Sequence, residues 1–140
     1  MDPIRVFVAD DDREDYEMIQ EALLSEGCAK EVHYFPRADL LLQKIEGLNP
    51  SEVPDLIVLD QHTPGTKSAD ALKEIRSQRK YDRITIAFYT SAIHPGTEQQ
   101  LLVEGADFCL RKGSSFAELK THAHYFCART WQRKAHYPSK

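Results

Sequence analysis

A chain of 140 residues, 41% hydrophobic and 29% charged, fits one compact soluble domain and leaves no room for a second core. Its formal charge of -4, from 22 acidic against 18 basic residues, sets up no overall positive field that would draw it to nucleic acid or anionic lipid. The longest apolar run, Leu56 to Leu59, is too short to span a bilayer; the start Met1-Asp2-Pro3-Ile4-Arg5 resembles no secretory leader, and Cys28, Cys109 and Cys127 form no CxxC pair, so a cytoplasmic address with reduced thiols is expected.

Ile4 to Ala9 is apolar except for Arg5 and rich in β-branched and aromatic residues, which predicts a buried strand ending at Asp10-Asp11-Asp12. Asp12 is placed to cap a helix whose inner stripe is Tyr16, Ile19, Leu23 and Leu24, closed by Gly27. Val32 to Phe35 predicts a second strand, and Leu40, Leu41, Ile45 and Leu48 a second helical stripe. After a loop carrying Pro50 and Pro54, Leu56-Ile57-Val58-Leu59 is apolar at every position, as a strand covered on both faces must be. Asp60 to Lys67 reads as a loop by Pro64-Gly65, Ser68 as the cap of a helix through Leu72 and Ile75, and Ile84 to Tyr89 as a fourth strand. A short helix over Thr97 to Glu104, a fifth strand from Ala106 to Leu110 and a long helix from Phe116 complete the chain. Ser115 and Glu118 form a capping box for that last helix, and Phe116, Leu119, Ala123 and Phe126 supply its inner stripe.

Five strands alternating with five helices imply crossover units, hence an α/β fold: a doubly wound five-stranded parallel sheet between two helix layers. In such a fold functional groups gather at the carboxyl ends of the strands, where the strand order reverses. Those ends deliver Asp10 and Asp11, Asp60, Thr90 and, just beyond the fifth strand, Lys112. Carboxylates brought this close raise one another's pKa unless a cation neutralises them, and a hard divalent ion such as Mg2+ accepts oxygen ligands in this number. An ammonium and a hydroxyl beside such an ion can hold the remaining oxygens of a phosphoryl group, so phosphoryl transfer is the expected chemistry.

Val8-Ala9-Asp10-Asp11-Asp12, Leu56-Ile57-Val58-Leu59-Asp60, Tyr89-Thr90-Ser91, Gly105-Ala106-Asp107 and Leu110-Arg111-Lys112, in this order and each at a predicted strand end, resemble the receiver domains of response regulators. The resemblance covers nearly the whole chain and implies a chemotaxis-regulator-like fold over residues 1–140, with no output domain. The helix-one segment Asp12-Arg13-Glu14-Asp15-Tyr16 is similar to small single-domain receivers that include partners of bacterial phytochromes. What the resemblance implies is a two-component phosphorelay switch and not an enzyme beyond slow self-dephosphorylation. Asp60 would accept a phosphoryl group from a sensor histidine kinase, a phytochrome-type kinase among the candidates, or from a phosphotransfer protein. Asp10, Asp11, Asp60 and the backbone carbonyl of His62 would hold Mg2+, Thr90 would hydrogen-bond the phosphoryl group, and Lys112 would pair with another of its oxygens.

Three departures from the family pattern stand out. Gly113 follows the lysine where proline is usual, so the cis peptide that helps aim the lysine is expected to be missing. Cys109 stands where an aromatic switch residue is common, with Phe108 on the opposite face of the strand. His62 would lie near the route of hydrolytic water and alter the lifetime of an acyl phosphate. Two other readings stay open: a pseudo-receiver that binds proteins without phosphate, and a small aspartyl-phosphate phosphatase, disfavoured because His62 stands where those enzymes place a second aspartate. His122 and His124, two apart on a helix, are expected on different faces, and Arg129, Arg133 and Lys134 to solvate its end. Trp131 and Tyr137, beyond the expected sheet, are candidates for a homodimer or kinase contact; neither a membrane nor a nucleic-acid partner is expected.

Overall fold

The computed structural model describes residues 2–61 and 67–138. Its strands are β1 (Ile4–Ala9), β2 (Ala29–Phe35), β3 (Leu56–Leu59), β4 (Thr85–Thr90) and β5 (Phe108–Arg111), and its helices α1 (Arg13–Ser25), α2 (Ala38–Glu46), α3 (Ser68–Arg76), α4 (Pro95–Val103) and α5 (Phe116–His136). All neighbouring strands run parallel in the order β2-β1-β3-β4-β5, as the alternation of strand and helix predicts. After β1 the chain steps outward to β2, then returns to lay β3 along the other flank of β1. The strand order therefore reverses between β1 and β3, and the carboxyl ends beside this reversal are where such a fold places its functional groups.

The period-two alternation of the strands divides the core. Val6, Val8, Val58, Ala87, Tyr89 and Phe108 face α1 and α5, where Tyr16, Ile19, Leu23, Leu119, Ala123 and Phe126 pack on them. Phe7, Ala9, Ile57, Leu59, Ile86 and Phe88 face the opposite layer, met by Leu41, Ile45, Leu72, Ile75 and Leu101. β3 is buried at all its positions, which is why its sequence is uninterrupted Leu-Ile-Val-Leu. No helix among the described residues is long and apolar enough to cross a membrane.

Several boundaries and stripe members differ from the sequence reading. β2 begins three residues earlier, because Ala29 pairs with Ile4 and Lys30 and Glu31 follow it into the ladder despite their charge. β4 runs over Thr85–Thr90, α4 starts at Pro95, a favoured first helical position, and β5 is displaced to Phe108–Arg111. Leu24 and Phe116, expected inside, are each 43% exposed; Ala22 and Cys127 take the inner positions instead. Asp12 caps α1 as expected, accepting from the Glu14 and Asp15 amides. Ser68 does not cap α3: Lys67 holds the cap position without a side-chain bond, and the Ser68 hydroxyl donates to the Asp60 carbonyl at 2.5 Å. Ser115 accepts from the Glu118 amide, whereas the Glu118 carboxylate returns one residue early, to the amide and hydroxyl of Ser114.

The largest correction concerns the end of α5. Arg129, Arg133 and Lys134 do not merely solvate it; they bind the amino-terminal edge of the sheet. Arg133 Nη1 reaches Asp107 Oδ1 at 2.9 Å, Arg129 Nη2 donates to the Asp107 carbonyl at 2.9 Å, and Lys134 pairs with Asp55 at 3.0 Å. The Asp107 Oδ2 accepts from Arg76 Nη2 and from the Ile86 amide, both at 2.9 Å. Gly105, just before it, has φ +116°, and a Cβ there would lie 2.7 Å from the Arg76 Cγ, so backbone freedom and close approach both require glycine. Trp131 packs half-buried against the core and donates its indole N–H to the Asp2 carbonyl.

Candidate functional site

Each strand end delivers its residue for a local reason. Asp10 continues β1 through a bond from its amide to the Phe35 carbonyl, and its Oδ1 accepts from the Asp12 amide at 2.9 Å, which turns the chain into α1. Asp60 continues β3, its amide bonding the Ala9 carbonyl. Thr90 closes β4 wholly buried, and the Lys112 amide extends the β4–β5 ladder by donating to the Thr90 carbonyl at 2.9 Å.

The structure brings Asp10, Asp11, Asp60, Thr90 and Lys112 together above the reversal point. The Lys112 ammonium lies 2.8 Å from Asp10 Oδ2 and 2.8 Å from Asp60 Oδ2. The Thr90 hydroxyl donates to Asp60 Oδ1 at 3.2 Å. Both oxygens of Asp60 thus face a donor. Ligand oxygens of Asp10, Asp11 and Asp60 all lie within 4.8 Å of one another, with Asp11 exposed and the other two buried; among the described residues this is the group that fits a shared cation. An all-carboxylate donor set of this spacing suits a hard dication with room for water or phosphate oxygens. His62, the fourth ligand the sequence reading named, lies outside the described residues.

Burial is the main force on the Asp10 carboxyl, which is pushed up to about 6; bonds from Lys112 and the Asp12 amide oppose it and the Asp60 charge adds to it. Burial works to lower the Lys112 ammonium, but its bonds to Asp10, Asp15 and Asp60 prevail and hold it above its ordinary value. Lys112 therefore stays charged and acts as the internal counter-ion of the acidic pocket.

Asp15 was not foreseen as part of the site. Its Oδ2 lies 2.8 Å from the Lys112 ammonium, giving the lysine three carboxylate partners. Only its place in the first turn of a helix that begins right after a strand end hinted at this. Also unforeseen is Tyr89, whose buried hydroxyl accepts from the Gly113 amide at 2.9 Å and lies 2.7 Å from His122 Nδ1. His122 and His124 do face apart, His124 bonding Glu26 at 2.7 Å. No cis peptide occurs among the described residues, in keeping with Gly113 after the lysine. Phe108 is buried against Tyr125 and Phe126, while Cys109 is half-buried on the opposite face, its thiol pushed up to about 11 by burial.

Residues 6–124 match the family model described as the response regulator receiver domain. Among solved structures the chain is similar to the phosphorylated cyanobacterial phytochrome response regulator RcpA, with 21% identity over 86% of this chain and 89% of that one and a TM-score of 0.76. It is similar also to the Mn2+-bound form of response regulator Rcp1, with 18% identity over 88% and 91% of the two chains and a TM-score of 0.75. The chemotaxis response regulator CheY4 of Vibrio cholerae is 22% identical over 89% and 98%, with a TM-score of 0.74. At these identities the three establish the shared fold. No curated protein matches the chain.

Proposed function

The chain belongs to the response regulator receiver domain family, and from that premise we propose that it is a phosphorylation switch of two-component signalling with Asp60 as its phosphoacceptor. The observation that carries this reading is the pairing of the two Asp60 oxygens with Lys112 at 2.8 Å and Thr90 at 3.2 Å, beside carboxylates spaced for a cation. A carboxylate oxygen of Asp60 attacks the phosphorus of a phosphohistidine on a sensor histidine kinase or phosphotransfer protein. The new O–P bond makes an acyl phosphate as the P–N bond breaks, and the proton needed by the departing imidazole comes from solvent. Lys112 and Thr90 then turn from the carboxylate to the oxygens of the phosphoryl group, neutralising part of the added charge.

Asp10, Asp11 and Asp60 are the side chains that would hold Mg2+, which supplies charge neutralisation of the phosphoryl oxygens when bound. Moving Thr90, at the carboxyl end of β4, and Lys112, just beyond β5, toward a phosphoryl group repacks the surface between β4 and β5, and that surface is the output in a cytoplasmic signalling pathway. The similarity to RcpA, a phytochrome response regulator, makes a phytochrome-type kinase a natural donor to try first.

The test is incubation with acetyl phosphate and Mg2+ followed by intact-mass measurement. One PO3 unit is expected on the wild-type chain and none on Asp60→Asn, while Asp11→Asn should label far more slowly. A wild-type chain that gains no mass from acetyl phosphate or from phosphohistidine donors would instead support a receiver fold that signals by protein binding alone.

A further inference from the structure

The segment joining β5 to α5 is held at successive residues. The Lys112 amide donates to the Thr90 carbonyl, the Gly113 amide to the Tyr89 hydroxyl, and the Ser114 amide to the Glu118 carboxylate. The middle bond is the unusual one, because it spends a buried tyrosine hydroxyl on a loop amide two residues beyond the strand. That hydroxyl accepts from Gly113 and has a single proton to give. His122 Nδ1, 2.7 Å away on α5, is placed to receive it when the ring carries its proton on Nε2. The Tyr89 ring is fixed edge-on between His122, at a centroid distance of 5.4 Å, and Phe126, at 5.3 Å. Burial raises the phenol above its ordinary value, so it stays protonated and able to donate. Gly113 passes so near α5 that a Cβ would meet Glu118 Cβ at 3.0 Å and His122 Nδ1 at 3.4 Å.

We propose that Tyr89 and His122 are positioning residues for phosphoryl transfer: the hydroxyl, oriented by the imidazole, anchors the Gly113 amide and thereby aims the Lys112 ammonium at Asp60. The anchor adds a hold at Gly113 to the Lys112 amide's own bond to Thr90, at a residue whose missing side chain leaves the backbone its widest freedom, and so steadies the base of the four-carbon stem that carries the ammonium. Because Tyr89 neighbours Thr90 on β4, the two phosphoryl-binding side chains share one support. This inference rests on the reading of Asp60 as phosphoacceptor.

Tyr89→Phe keeps the ring and removes the hydroxyl; His122→Leu removes the acceptor; His122→Asn restores an acceptor near the position of Nδ1. Two measurements decide the matter: hydrogen exchange of the Gly113 amide by NMR in metal-free protein, and the initial rate of Asp60 labelling by acetyl phosphate with Mg2+. In Tyr89→Phe, Gly113 exchange should rise and labelling fall, each roughly tenfold, as expected for loss of one buried hydrogen bond. His122→Leu should move both in the same direction and His122→Asn should return both toward wild type, a rescue that a purely structural role would not give. Unchanged Gly113 exchange in Tyr89→Phe overturns the anchor, and faster exchange with wild-type labelling overturns its role in aiming the lysine. A wild-type chain that never labels defeats the functional reading separately. The anchor is then judged on exchange and on whether the Lys112 ammonium 15N resonance shifts in Tyr89→Phe; no shift overturns it.

Discussion

Asp107→Ala is expected to cost the fold about 3–5 kcal/mol, the range for removing one partner of a buried ionic cluster. Asp107 accepts from Arg76, Arg133 and the Ile86 amide, each at 2.9 Å, and its side chain is only 11% exposed. Truncation leaves two guanidiniums with less compensation in a half-dry setting and orphans a strand amide at the same time. Arg76 is the more affected of the two. Burial and the Arg133 charge already pull its pKa below the ordinary value, while Asp107 opposes them. Asp107→Asn keeps an oxygen for Ile86 but loses the charge, so it should fall between wild type and alanine. Urea unfolding at neutral pH measures both; a loss under about 1 kcal/mol for alanine, the scale of an exposed ion pair, would falsify the hub. The consequence is structural, because the cluster joins α3, β5 and the last turns of α5 at the end of the sheet remote from Asp60.

Lys112→Met should destabilise the metal-free protein by about 3 kcal/mol near neutral pH, and Mg2+ should restore much of that loss. The methionine preserves the length of the stem while removing the charge shared among Asp10, Asp15 and Asp60, each 2.8 Å from the ammonium. The pH dependence gives a second readout. Asp10 titrates at about 6 in the folded chain against an ordinary 3.8, so between those values the native state binds more protons than the unfolded one. Its contribution is therefore full below the ordinary value and is lost as pH rises through about 6. In Lys112→Met the lowering effect of the ammonium on Asp10 disappears and the native value climbs further. The variant should regain stability on acidification more than wild type does, and the gap should narrow between about pH 7 and about pH 5. A gap that is constant with pH and insensitive to Mg2+ would show that Lys112 does not serve as the pocket's counter-ion.

The two variants differ in how far their partners could be read from the chain itself. Asp10, Asp11, Asp60, Thr90 and Lys112 are legible because each ends, or closely follows, an apolar strand segment, and a parallel sheet brings such ends to one rim. Asp107 is equally easy to place at the start of β5, yet nothing in the periodicity says that Arg76 and Arg133 will converge on it. Charged residues carry no repeat that reports their partners, and the lysine to Asp15 contact spans 97 positions. The same limit explains Leu24 and Phe116, which sit at the margin of an apolar stripe, where packing of the neighbouring element decides burial.

What the order of residues alone determined is the succession of strands and helices, the double burial of β3, the cap at Asp12 and the rim of carboxylate, hydroxyl and ammonium groups. These follow from side-chain period and from the short reach of backbone hydrogen bonds, both local properties. The tertiary structure alone decided that Asp15 shares Lys112, that Tyr89 and His122 hold Gly113, and that α5 is tied to the sheet through Asp107. Each of those depends on where helices settle against the sheet, a choice made by the packing of the whole core and therefore invisible to any short stretch of chain.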